Sequence, residues 1–270
     1  MKENRFDSIK KELLDIYAAI CDLTDDEILN GTETVFRSHF KRLQGLIAMD
    51  VEDHLTDKLL CDKEFRPITK RISHLKRING LGMEIKYAQS IIADSHPWIA
   101  VKNFIFYPNY LQLADMEYLG AELKPGDRVL FLGSGPLPLS LISLYKQYGV
   151  EGIGMEQVPE YVKISQKLIK TLGLTGQIQI VQGNHFSLPL DEECMLVMVG
   201  ADACPKDEIF AHLAGTLPNG TRVSYRIYEK GLRRLMDNQA AFEPPGFKEY
   251  LRIRPEPPVN NTSVFLIKGD

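Results

Sequence analysis

The chain has 270 residues, 44% of them apolar, and a formal net charge of −4 with a sequence pI near 5.9. That length supports two modest domains or one large one. The acidic balance excludes the basic footprint of a nucleic-acid-binding or anionic-membrane-binding protein.

No apolar run approaches the ~20 residues of a membrane span, and the opening MKENRFDSIKK does not read as a signal peptide. Cys21, Cys61, Cys194 and Cys204 show no CxxC spacing and are expected to be reduced packing residues. The Asn-x-Thr triplets at Asn30, Asn219 and Asn260 are then chance sequons. The expectation is a soluble, cytoplasmic protein.

Residues 1–122 read as a helical domain, poor in glycine and proline with apolar residues at helical spacing. Ile9, Leu13, Ile16 and Ile20 form one stripe, Val35, Phe36, Phe40 and Leu43 a second, and Leu81, Ile85, Ala88 and Ile92 a third. Glu84 stands four residues before Ala88 and seven before Ile91, which points it near a buried surface. Spacing leaves it either a tolerated boundary residue or a group held for chemistry. Further on, FIFYPNYLQLADMEY places Tyr107 and Tyr110 around Pro108 at a helix start. Such aromatic clusters ordinarily pack cores.

Lys124-Pro125-Gly126-Asp127 is a turn, and residues 123–270 read as a second domain. Apolar strands at 129–132, 150–155, 177–181, 195–200 and 221–225 alternate with helices at Leu139–Tyr148, Pro159–Leu172 and Pro205–Thr216. That alternation predicts parallel strands with right-handed crossovers. After the break Glu243-Pro244-Pro245-Gly246, KEYLRI and NTSVFLIK follow with no helix between them, which predicts an antiparallel hairpin at the sheet edge. The fold class is therefore α/β: a Rossmann-like sheet of five parallel strands plus a C-terminal hairpin, behind an N-terminal helical bundle. This is the plan of S-adenosylmethionine (SAM)-dependent transferases.

Gly133-Ser134-Gly135 closes the first strand, where missing Cβ atoms permit a sharp turn and close approach of a ligand. Glu156 ends the second strand about 20 residues on, where an acid accepts both ribose hydroxyls of a nucleotide; otherwise it is a solvated strand terminus. Pro136 and Pro138 crowd the following helix start with residues lacking N–H groups, which favours a nucleoside without phosphates. Gly183-Asn184 follows the third strand, placing Asn184 either against an adenine amino group or in an ordinary turn; the adjacent His185 reads as surface or packing. Gly200-Ala201-Asp202 ends the fourth strand facing the cleft. Arg226 offers a guanidinium for a substrate carboxylate, or is a strand-end arginine in solvent. No histidine spacing argues for a metal.

GSGPLPLS at Gly133 to Ser140, SHPW with FYPNYLQL within Ser95 to Leu113, YRIY at Tyr225 to Tyr228 and VNNTSVFLIK near the C-terminus resemble the nicotianamine synthase family. Its bacterial relatives make opine-type metallophores such as staphylopine and pseudopaline. The likeness runs over roughly residues 79 to 268 and implies transfer of the 3-amino-3-carboxypropyl group of SAM to an acceptor amine, with release of 5′-methylthioadenosine. By this resemblance Glu84 and Tyr110 act at the acceptor, with Tyr107 lining the pocket. Gly133, Ser134, Gly135, Pro138, Glu156, Gln157, Gly183, Asn184, Ala201 and Asp202 are expected around SAM, and Arg226 and Tyr228 on the substrate. The acceptor is expected to be a small amino acid (histidine, glutamate or another aminobutyrate unit), without nucleic acid, membrane or required metal. The resemblance allows a homodimer. Asn184 departs from the aspartate common in SAM transferases, and Pro108-Asn109 replace the residues that precede the tyrosine in plant members. An ordinary SAM-dependent small-molecule N-methyltransferase is the alternative, and a nucleoside-binding regulatory module a second.

Overall fold

The computed structural model describes residues 2–30, 36–49, 51–189, 193–236, 242–257 and 259–269. Contacts divide the chain into two compact units, Met1–Met83 with Tyr228–Ala241, and Glu84–Ile227 with Phe242–Asp270. The expected boundary at residue 122 thus falls inside the second unit. The reason is burial: Ala88, Ile91, Val101, Phe104 and Ala114 share one apolar cluster with Val129, Ile142 and Leu196.

The first unit is helical, with α1 (Lys2–Ile20), α2 (Asp25–Asn30), α3 (Arg37–Ile47), α4 (Asp53–Cys61) and α5 (Arg66–Ala93) as far as Met83. The α1 stripe Ile9, Leu13, Ile16 and Ile20 is buried against Phe36, Phe40 and Leu43. Val35, expected in that second stripe, lies outside the described residues. α2 starts in a capping box, with Thr24 N–H donating to Glu27 Oε2 at 2.7 Å and Glu27 N–H to Thr24 Oγ1 at 3.2 Å. A 3-10 helix, Gly231–Met236, is tied back by Gly231 N–H to Asp53 Oδ1 at 3.1 Å and Ser73 Oγ to the Met236 carbonyl at 2.8 Å.

The second unit takes up the chain at Glu84 in α5 and continues with α6 (Pro97–Lys102) and α7 (Tyr107–Gly120). Then come β1 (Arg128–Leu132), α8 (Leu139–Tyr148), β2 (Glu151–Glu156), α9 (Pro159–Thr171) and β3 (Ile178–Gln182). β4 (Leu196–Val199), α10 (Lys206–Thr216), β5 (Arg222–Ile227), β6 (Phe247–Ile253) and β7 (Thr262–Lys268) complete it. The sheet order is β3-β2-β1-β4-β5-β7-β6, with β1 to β5 parallel and β7 antiparallel to both β5 and β6. β1, apolar from Val129 to Leu132, and uniformly apolar β4 lie at the centre, as strands covered on both faces should. Between them the direction of chain progress reverses, and ligands of open α/β sheets bind at such points outside the strands' C-terminal ends. Of the third helical stripe only Ala88 is fully buried, while Leu81, Ile85 and Ile92 are half-buried; Ile91, outside that stripe, is buried instead. None of the four cysteines is in a disulfide; Cys21 and Cys194 are half-buried, but Cys61 and Cys204 are exposed rather than packed.

Candidate active site

Four strand ends deliver the expected ligand residues to one edge. Gly133, Ser134 and Gly135 follow β1, Glu156 closes β2 with exposed Gln157 behind it, Gly183-Asn184 follow β3, and Gly200-Ala201-Asp202 follow β4. Register aligns these ends, with Leu132 opposite both Met155 and Val199, and Glu156 opposite Gln182.

The turn after β1 spends its own donors. Gly133 and Ser134 N–H both donate to the Met155 carbonyl at 3.0 Å, and Leu139 N–H donates to Leu137 O at 2.7 Å. Gly135 N–H donates to Glu156 Oε2 at 3.2 Å. Pro136 and Pro138 stand before α8, Pro138 as its cap residue, and have no N–H to give. Few amides are left to cradle a phosphate, which suits a nucleoside ligand. The Ser134 side chain turns away toward β2, with Oγ 2.9 Å from where a Cβ on Gly154 would sit.

Glu156 is fixed before any ligand arrives, because Val158 N–H donates to its Oε1 at 2.8 Å while Gly135 holds Oε2. The carboxylate is thereby aimed along the strand end. Beyond β3, Asn184 Oδ1 accepts from Phe186 N–H at 3.0 Å and Ser187 Oγ accepts from Asn184 N–H at 3.0 Å. The His185 ring centroid lies 4.0 Å from that of Phe186 and 5.7 Å from that of His212. Phe186 itself is 60% exposed, an aromatic face beside the cleft that alternation and spacing did not reveal.

Glu84, in α5, meets this edge. Tyr110, at the start of α7, donates its hydroxyl to Glu84 Oε1 at 3.2 Å. Glu84 Oε2 lies 3.1 Å from the Cβ position of Gly135. Burial pushes the Glu84 carboxyl up to about 8, Asp202 and Glu156 add repulsion, and the Tyr110 hydrogen bond works the other way. Tyr110 is raised well above its usual range by burial first and by Glu84 next. Tyr107 is half-buried against the same apolar cluster, its phenol raised by burial.

Arg226 is not a solvent-facing strand end. It is 5% exposed, with Nε donating to Glu117 Oε1 at 3.2 Å and Nη1 to Ser140 Oγ at 2.9 Å. Its guanidinium lies 5.7 Å from the Phe131 ring centroid. Glu117 is 1% exposed and also accepts from Ser263 Oγ at 3.2 Å. Glu117 went unnoticed in the sequence, although it lies seven residues after Tyr110 on one helix face. Lys206 was missed too: it is 1% exposed and donates to the Ala201 carbonyl at 2.7 Å. Tyr228 belongs to the helical unit, where its ring packs against that unit's apolar cluster below the Lys76 ammonium. Among the described residues no group of three His, Cys, Asp or Glu is placed to hold a metal ion.

A seven-stranded sheet in this order, with a glycine turn after β1 and an acid closing β2, defines a SAM-dependent transferase fold. The family described as "Nicotianamine synthase protein" matches residues 2–270, and the chain belongs to the nicotianamine synthase family. It is 22% identical over 205 residues to the L-histidine 2-aminobutanoyltransferase of Yersinia pestis, covering 74% of this chain and 76% of that protein. It is 40% identical to nicotianamine synthase 3 of Oryza sativa subsp. indica, but over 67 residues, 23% of this chain and 20% of the rice protein. A crystal structure of a glutamate-to-glutamine variant of MtNAS in complex with S-adenosylmethionine superposes with a TM-score of 0.84 at 25% identity, covering 98% of each chain. MtNAS in complex with MTA and tNA gives a TM-score of 0.81 at 26% identity, over 100% of this chain and 99% of that one.

Proposed function

We propose that the chain transfers the 3-amino-3-carboxypropyl group of SAM to the amine of an amino-acid acceptor, as a step in building a metal-chelating product. The observation that carries this reading is the Glu84–Tyr110 hydrogen bond set against the Gly135 turn. A half-buried carboxyl touching the nucleotide turn is where an acceptor amine meets the donor's sulfonium. It argues against a binding module in which Glu84 faces solvent away from the cleft. The family membership and the SAM and MTA complexes of MtNAS support the same reading.

In this reaction the amine lone pair attacks the methylene carbon that joins the aminocarboxypropyl arm to sulfur. That carbon–sulfur bond breaks with its electron pair going to sulfur, and the sulfonium becomes the neutral thioether 5′-methylthioadenosine. The acceptor must first lose a proton, which Glu84 takes and passes to solvent. Base assistance of this kind is worth roughly 10²–10⁴-fold. Tyr110 holds Glu84 in place and Tyr107 walls the pocket. Gly133, Ser134, Gly135, Pro138, Glu156, Gln157, Gly183, Asn184, Ala201 and Asp202 surround the adenosine end, and Arg226 serves the substrate carboxylate. We place the enzyme in the cytoplasm, where donor and acceptor are small dissolved metabolites.

Incubation with SAM alone, with SAM and histidine, and with SAM and glutamate, read by mass spectrometry, tests both leaving group and acceptor. Methylthioadenosine with a product heavier by the aminobutanoyl unit is expected. S-adenosylhomocysteine would instead make the chain a methyltransferase.

A further inference from the structure

Two of the site's carboxylates share one neighbour. Gly135 gives its N–H to Glu156 at 3.2 Å, and its Cβ position lies 3.1 Å from Glu84 Oε2. Asp202, on the loop after β4, repels the negative charge of both Glu84 and Tyr110. That loop is tied down from three sides. Gly200 N–H donates to Leu132 O at 3.0 Å, Ala203 N–H to Gly200 O at 3.2 Å, and the Lys206 ammonium to Ala201 O. Ala203 Cβ also lies 3.2 Å from the Cβ position of Gly133, so the loop presses on the nucleotide turn. The loop's backbone is therefore held in place and Glu156 is fixed by two amides, while the Asp202 side chain is exposed on that loop. Two cations are near. Arg226, which favours the charged form of Tyr110, is already ion-paired to Glu117 at 3.2 Å; the Lys206 ammonium is committed to the loop.

We propose that Glu84, Asp202 and Glu156 form an anionic collar that recognises the sulfonium charge of the donor, and that arrival of this charge strips the proton from Glu84. The inference rests on the donor reading above. Without ligand, burial and its acidic neighbours keep Glu84 largely protonated at neutral pH, so it is no base. A cation entering the collar stabilises the carboxylate, and the proton leaves to the buffer. The base is armed only when the donor is in place. Transfer then turns the sulfonium into a neutral thioether, which removes the attraction and favours product release. Glu84 regains its proton for the next cycle.

Titration calorimetry at pH 7 in buffers of different ionisation enthalpy reads the protons released on binding, without turnover. SAM and S-adenosylhomocysteine differ by one methyl group and the sulfonium charge, so changes at their shared amino group cancel in the comparison. SAM should release roughly 0.5 proton or more per site, and S-adenosylhomocysteine far less. Glu84→Gln should still bind SAM but lose the difference between the ligands. Asp202→Asn, at an exposed position, should shrink it, since Glu84 then begins less protonated. Equal release by the two ligands, or SAM binding without release, overturns the inference while leaving the donor assignment standing. Failure to bind either ligand overturns the donor assignment and the inference together.

Discussion

Glu84 Oε2 lies 3.1 Å from the point that a Cβ on Gly135 would occupy, so a side chain at residue 135 would press on the carboxyl and make it shift. Gly135 also holds φ at +67°, a left-handed conformation that costs other residues about 1 kcal/mol or more. Gly135→Ala is expected to weaken SAM binding about tenfold or more and to lower kcat by displacing Glu84. Calorimetry and steady-state kinetics measure the two effects. Wild-type affinity and rate in this variant would separate the turn from the donor site.

The Glu84–Tyr110 hydrogen bond makes a prediction about pH. A carboxyl raised to about 8 must be deprotonated to accept a proton. kcat/KM for SAM, which reports the free enzyme, should therefore rise through an acid limb near that value. Tyr110 donates to the charged form and so lowers the value. Its removal in Tyr110→Phe should move the limb to higher pH, with kcat falling roughly 10–100-fold. A limb that stays in place when the phenol is removed would detach Tyr110 from the base.

The same carboxyl links pH to stability. Because its folded value lies above the ordinary 4.5, the native state holds the proton more tightly than the unfolded chain. The associated stability is complete below pH 4.5 and is lost as pH rises toward 8. Glu84→Gln removes the titration, so the variant should gain on the wild type by about 4 kcal/mol between pH 5 and pH 9. Calorimetric melting at both pH values measures it. A difference in melting temperature that does not change with pH would contradict an enclosed, raised carboxyl.

The sheet was largely legible in the sequence because its signals are local. Strands at 129–132 and 177–181 lie within a residue of β1 and β3, and the helix at Leu139–Tyr148 coincides with α8. Loss of helical alternation after residue 243 was enough to indicate the β6–β7 hairpin. Packing between distant segments was not legible. α6 and α7 read as helical, and they are, but nothing in their periodicity says whether they cover other helices or a sheet. The division of contacts between Met83 and Glu84 was not legible for that reason. Glu84 illustrates the division within the site: its stripe announced a buried edge, while the resemblance, not the spacing, singled it out for chemistry. Arg226, Glu117 and Ser263 come from β5, α7 and β7, and only the tertiary structure brings three such residues together.

That buried ion pair sets the last prediction. The Arg226 guanidinium is enclosed beside Glu117 at 3.2 Å, and breaking a buried pair from one side strands the other charge. Arg226→Ala should therefore cost about 3–5 kcal/mol in chemical denaturation, and the double variant Arg226→Met with Glu117→Leu should recover most of it. Kinetic comparison needs the milder Arg226→Lys, which keeps a charge but not the fork. Nε and Nη1 are engaged by Glu117 and Ser140, while Nη2 finds no hydrogen-bond partner among the described residues. A buried donor left in that state is uncommon, and a substrate carboxylate is the partner that our reading supplies. Arg226→Lys should then raise the acceptor KM several-fold while SAM affinity stays within about twofold. An unchanged acceptor KM would assign Arg226 wholly to holding α7 and α8 against β5.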